Sequence, residues 1–265
     1  MEFVKMHKKG ISLIAILLLI IISTVVMIWN NDSYALRREP LDLNSIYLPE
    51  LPEVTREYNE YFEGKKLVAV TFDDGPNPGT TDLLIDELAK RDARVSFFMV
   101  GNRVERYPDL VKKVYEAGHT IGNHSYSHKS FSKQKPDGYL WEINHTNQLI
   151  KNITGQDVLF VRPPYGSYKK STLENVGMTF ILWSIDTIDW KTRNADMIYD
   201  EMIKNVQDGD IILLHDLYPT TVEGALRGID YLLANGFAVV SLDEMYRLRG
   251  IAPQTHTSLR HFYLQ

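Results

Sequence analysis

Two adjacent carboxylates, Asp73 and Asp74, close the apolar run Leu67-Val68-Ala69-Val70 and stand just before Gly75-Pro76. Consecutive side chains of a strand point to opposite faces, so neighbouring aspartates can do two different jobs only where a strand ends and turns. Asp ahead of Gly-Pro is also ordinary turn chemistry, and the rest of the chain decides between the two readings. An aspartyl nucleophile of the phosphatase kind does not fit. Its two acids would be separated by one residue, whereas these are contiguous, and no phosphate-binding loop accompanies them.

Other chemically capable side chains follow. His124 and His128 stand at i and i+4, where a helical turn or tight loop lets two imidazoles share one metal ion, and a carboxylate from elsewhere would complete a three-ligand open site. Arg162, followed by Pro163-Pro164-Tyr165, is a cation flanked by rigid residues and is suited to fix an aspartate. Asp189-Trp190 reads as a turn with a core aromatic or as a further part of a site. His215 ends the apolar run 211–214, and acids on other loops would give it an acid–base role. His119 and His145 lack such company and read as structural or solvated.

These groups need a scaffold that brings them to one place. From Leu67 onward, short β-branched apolar runs alternate with amphipathic stretches, the pattern of β-α units around a parallel sheet. Strands are expected near 68–71, 95–100, 120–122, 159–162, 179–183, 211–214 and 238–241. Helices are expected from a cap at Thr80 or Thr81, from Pro108 to Gly118, from 138 to 154, near Ser171, over 196–206 and over 221–235. A last helix starts at Ser241, whose spacing to Glu244 makes a capping box. Seven such units imply an imperfect (β/α)7-type barrel over residues 67–250. Each chemical group falls just after a strand, on the rim where such barrels build active sites.

The chain resembles the polysaccharide deacetylases, the NodB-type branch of the carbohydrate esterases, from about Leu67 to Arg249. Five motifs carry the resemblance in order: Thr71-Phe72-Asp73-Asp74-Gly75-Pro76, His124-Ser125-x-x-His128, Arg162-Pro163-Pro164-Tyr165, Asp186-x-x-Asp189-Trp190 and Leu213-x-His215. It implies an N-deacetylase acting on N-acetylglucosamine units of an extracellular glycan such as peptidoglycan or a chitin-like polymer. Asp74, His124 and His128 would hold a divalent metal, zinc first and cobalt as another option. Asp73 would be the general base, oriented by Arg162, and His215 the general acid, oriented by Asp189. The backbone N–H of Tyr165 would hold the oxyanion, while Trp190, Tyr165 and Leu213 would wall an acetyl pocket. The rival readings are a small-molecule amide or cyclic-imide hydrolase and an inactive glycan-binding module.

The N-terminal part bears on location. Lys5, Lys8 and Lys9 precede an uncharged apolar run over 11–29, long enough to span a bilayer and to keep the lysines in the cytoplasm. Residues 1–29 are therefore expected to be a signal-anchor with the catalytic domain outside. The alternative is secretion after cleavage near Ala35. Residues 30–66, with three prolines among many charges, read as a stalk, and 251–265, with His256 and His261, as a trailing surface tail. The absence of cysteine is compatible with export, and a net charge of −5 gives no reason to expect nucleic acid as a partner.

Overall fold

A computed structural model describes residues 61–91 and 93–263. The expected signal-anchor and nearly all of the expected stalk lie outside the described residues. Among the described residues no helix is long and apolar enough to cross a membrane.

The described chain alternates strands and helices. In order they are β1 (Lys66–Asp73), α1 (Thr81–Ala89), β2 (Ser96–Met99), α2 (Gly101–Arg106), α3 (Pro108–Glu116), β3 (Thr120–Asn123) and α4 (Pro136–Thr154). Next come β4 (Phe160–Val161), α5 (Lys170–Val176), β5 (Thr179–Ile181), β6 (Ile185–Asp186), α6 (Asp189–Thr192) and α7 (Ala195–Ile203). The last are β7 (Ile211–His215), α8 (Pro219–Ala234), β8 (Phe237–Val239), α9 (Leu242–Leu248) and β9 (Ser258–Leu259). All strand pairings are parallel, in the order β6-β7-β1-β2-β3-β4-β5-β9, with β8 beside the first half of β1. The sheet curls: the single stretch from β5 to β6 pairs with β4 at its start and with β7 at its end.

Alternation along β1 sorts its side chains into two layers. Val68, Val70 and Phe72 point outward into the large cluster beneath the helices, with Leu84, Leu88, Val111, Ile198 and Ile229. Leu67 and Ala69 point inward to a second cluster with Phe98, Phe160, Ile211 and Phe262. On β7, Ile211 faces inward while Ile212 and Leu214 face outward. The inner face thus changes from apolar at the foot of the sheet to Thr71, Asp73 and His215 at its rim.

Two sequence expectations are corrected. Thr80 occupies the N-cap position of α1 without capping it; its hydroxyl donates instead to the carbonyls of Asn77 and Asp216. The tail is not a surface trailer, because β9 forms the last strand beside β5, Asp210 and His261 form an antiparallel bridge, and Phe262 is buried. The capping box of Ser241 and Glu244 on α9 is present.

Candidate active site

The inward-facing end of β1 delivers Asp73 into the curl, where it is almost fully buried. Its Oδ1 lies 2.7 Å from Nη1 of Arg162, which has no solvent exposure. Every nitrogen of that guanidinium is used: Nε donates to the Ile181 carbonyl, Nη2 to the Leu182 carbonyl, and Nη1 to Thr71 Oγ1 as well as Asp73. Its Cζ lies over the Phe98 ring, 4.1 Å from the centroid. Gly122 makes room for that ring, since a Cβ there would lie 2.5 Å from it. Burial pushes the Asp73 carboxyl above its ordinary value of 3.8, against the opposing pull of Arg162 and His215.

Asp74 takes the other direction. Its backbone is left-handed, at φ 74°, which turns its side chain away from Asp73 and toward the loop after β3. Oδ1 of Asp74 sits 3.2 Å from Nε2 of His128 and 3.5 Å from Nε2 of His124. That oxygen is buried and has no hydrogen-bond partner. The contiguous acids that open the first motif therefore part company at the strand end.

The histidine loop is held from behind. Nδ1 of His124 is 2.7 Å from the Arg162 carbonyl oxygen, which directs Nε2 into the site. Asn123 Oδ1 accepts from the Ser125 N–H, and Glu142 Oε2 accepts from the N–H groups of Tyr126 and Ser127. Burial, only partly offset by Asp74, drives the His124 imidazole down to about 3, so it is neutral and available as a ligand at neutral pH. The donor atoms of Asp74, His124 and His128 all lie within 4.8 Å of one another. Two imidazole nitrogens and one orphaned carboxylate oxygen aimed at one point fit a divalent cation with open positions.

Across from Asp73 lies His215, its register partner on the adjacent strand. Asp189, fully buried at the start of α6, accepts from the His215 N–H and pairs with its Nδ1, each at 2.8 Å. Thr221 Oγ1 donates to the same carboxylate at 2.9 Å. Burial disfavours the imidazolium, but the hydrogen bond and charge of Asp189, joined by Asp73 and Asp74, win and push His215 up to about 9. A cation on the ligand trio would offset the two aspartates and draw that value down.

Tyr165, at φ 61°, packs its ring edge-on 4.7 Å from His128 and is 70 % exposed; Trp190 is 52 % exposed and Leu213 is buried. Leu213, two residues before His215, shares its inward face. Five of the left-handed non-glycine residues, Asp74, Ser125, His128, Tyr165 and Ile188, lie in or beside the rim motifs. Such strain gathers where surrounding structure over-determines the backbone, as at active sites. His119 is buried beneath the sheet and accepts the Val95 N–H on its Nδ1, and His145 stacks on Trp141. Sequence reasoning missed Thr71, Glu142 and Thr221 as supports of the site, because each acts through a contact distant in the chain; it also missed Asn123, whose side chain caps the turn two residues on.

The family model of the polysaccharide deacetylases matches residues 62–181. The chain belongs to this family. It is 35 % identical to the peptidoglycan-N-acetylglucosamine deacetylase PgdA of Listeria monocytogenes, over 77 % of this chain but only 43 % of that protein. The peptidoglycan-N-acetylmuramic acid deacetylase PdaA of Bacillus subtilis is 32 % identical, with 74 % of this chain and 78 % of that protein covered. Among solved structures, a family 4 acetyl xylan esterase from Clostridium thermocellum, in complex with a cobalt ion, superposes with a TM-score of 0.71 at 32 % identity. It covers 75 % of this chain and all of the other.

Proposed function

We propose that this protein is a metal-dependent N-deacetylase that removes acetyl groups from N-acetylated sugars of an extracellular polysaccharide, with peptidoglycan the first candidate. The observation that carries the reading is the register pairing of Asp73 with His215 on neighbouring strands, which sets a buried base and a charged acid side by side at one strand separation, about 4.8 Å. The names of PgdA and PdaA support peptidoglycan as the polymer class.

Asp74, His124 and His128 would hold a divalent cation, zinc first with cobalt another option, which would supply Lewis-acid polarisation of the acetamide carbonyl and make a water more acidic. Asp73, held by Arg162, takes a proton from the attacking water. His215 enters the reaction protonated and donates to the departing amine nitrogen, which is a poor leaving group without that proton. Asp189 keeps the imidazole oriented and charged. The Tyr165 N–H is assigned to the oxyanion, and Leu213, Trp190 and the Tyr165 ring to the walls around the acetyl methyl. Residues 1–29 are proposed to anchor the chain with this domain outside the cell, where such a polymer lies; the lysines before the apolar run support that orientation.

The test is incubation of the purified protein, with added zinc or cobalt, with chitooligosaccharides and with muropeptides. Mass spectrometry and acetate assay should show deacetylated products from at least one set, and fragmentation would place the free amine on glucosamine or muramic acid. Absence of acetate from both, with metal bound, would sink the reading. For location, protease added to intact cells should digest the domain, and digestion only after lysis would overturn the exported topology.

A further inference from the structure

We propose that Asp216 is a positioning residue for the metal site, holding the Asp74-Gly75 turn so that the Asp74 carboxylate meets the two imidazoles. The inference rests on the ligand assignment above.

Asp216 follows His215 directly, turned to the opposite face, and has no solvent exposure. Its Oδ2 accepts the Thr81 hydroxyl, and its backbone carbonyl accepts the Thr80 hydroxyl at 2.5 Å. Those threonines open α1, the helix entered from the Asp73-Asp74-Gly75-Pro76 turn. Thr81 Oγ1 in turn accepts the Asn77 N–H at 2.8 Å. The carboxylate also lies flat against Gly75, where a Cβ would collide with both of its oxygens. Asp216 thus reaches both sides of the turn, one residue from the ligand Asp74.

Stability alone gives little reason for this residue. Its Oδ1 is buried without a partner, and an unsatisfied buried polar atom costs about 1–3 kcal/mol. An apolar side chain of similar size would avoid that cost. What an apolar residue could not do is bind the Thr81 hydroxyl. The ladder between β1 and β7 ends at Asp73 and His215, so above that level the Asp216 contacts tie the two rim loops. Asparagine keeps the shape and an acceptor oxygen for the Thr81 hydroxyl, so it is the conservative replacement.

The experiment is calorimetric titration of the metal-stripped full chain with cobalt, which needs no turnover. Asp216→Ala should weaken cobalt binding by about 10- to 100-fold, the range for residues that support metal ligands from behind. Asp216→Asn should bind nearly as the parent does. Thr81→Val, which keeps volume but removes the donor, should weaken binding in the same direction and add little on top of Asp216→Ala. Unchanged affinity in Asp216→Ala overturns the proposal, as does full additivity with Thr81→Val. Should Asp216→Ala not fold, Thr81→Val and Asp216→Asn decide it: equal affinity in both, at the parent's level, overturns the clamp. A parent protein that binds no cobalt would instead refute the ligand assignment, so the two failures are distinguishable.

Discussion

Replacing Arg162 by methionine isolates what the buried cation does. The side chain is roughly conserved in bulk, but Asp73 loses its partner and the carbonyls of Ile181 and Leu182 lose their donors. Breaking a buried ion pair from one side costs about 3–5 kcal/mol, and the two orphaned carbonyls add about 1 kcal/mol or more each. Thr71 Oγ1 still donates to the Ile212 carbonyl and contributes little to the loss. A deficit of about 5 kcal/mol at neutral pH follows, or a fall in Tm of about 10–20 °C at the 2–4 °C per kcal/mol usual for domains of this size. The loss should depend on pH, with a defined sign. The folded-state pKa of Asp73 already lies above 3.8, so ionised Asp73 opposes folding as pH rises through that folded value, and removing the cation raises the value further. The difference between parent and variant should therefore grow as the pH rises and shrink as it falls and Asp73 takes up its proton. Urea titrations of metal-stripped protein across a range of pH measure it. A constant difference, or one below about 1 kcal/mol, would show that Arg162 is not the electrostatic support of Asp73.

Asp73→Asn should retain cobalt yet lose about 10²–10⁴ in turnover, as for removal of a general base, whereas Asp74→Asn should lose the metal first; metal content and turnover on one preparation separate the two. His215→Gln should suppress hydrolysis of an acetamide far more than that of an activated acetate ester, and equal losses would point to a structural histidine. The metal-stripped parent should lose up to about 3 kcal/mol as pH rises from 6.5 to about 9, because the folded state holds the His215 proton more tightly than the unfolded chain. In His215→Gln that loss should disappear, leaving only the shallower slope of the buried carboxyls Asp73 and Asp216.

Legibility in the sequence followed the range of the interactions. The apolar run Leu67 to Val70 closing on two carboxylates is local and marked β1, and the alternation of apolar and amphipathic stretches marked the parallel sheet. Arg162, Asp189 and His215 were legible because the motifs fall at strand ends, even though their partners are distant in the chain. The short helices α2 and α6 were not, since one or two turns leave no apolar period to read. Neither was the left-handed Ile188, a β-branched residue that no propensity would place there. Glu142 falls within the expected helix from 138 to 154 with no local signal of a role, and only the fold shows it accepting the N–H groups of the histidine loop. The tail misled because two strand residues and one buried Phe262 carry too little pattern.

That tail governs how the protein behaves as a solute. β9 occupies the outer side of β5, where Leu182 and Phe180 donate to the carbonyls of Leu259 and Thr257. Phe262 donates to the Gly209 carbonyl on the way past. Shortening the chain to residue 250 would bare a row of strand amides beside the apolar surface that Phe262 covers, a ready template for a strand of another molecule. The catalytic groups would all remain, yet the shortened protein should self-associate, visible as a concentration-dependent shift in light scattering. For anyone handling this protein, a purification tag belongs at some distance from Tyr263, or at the other end.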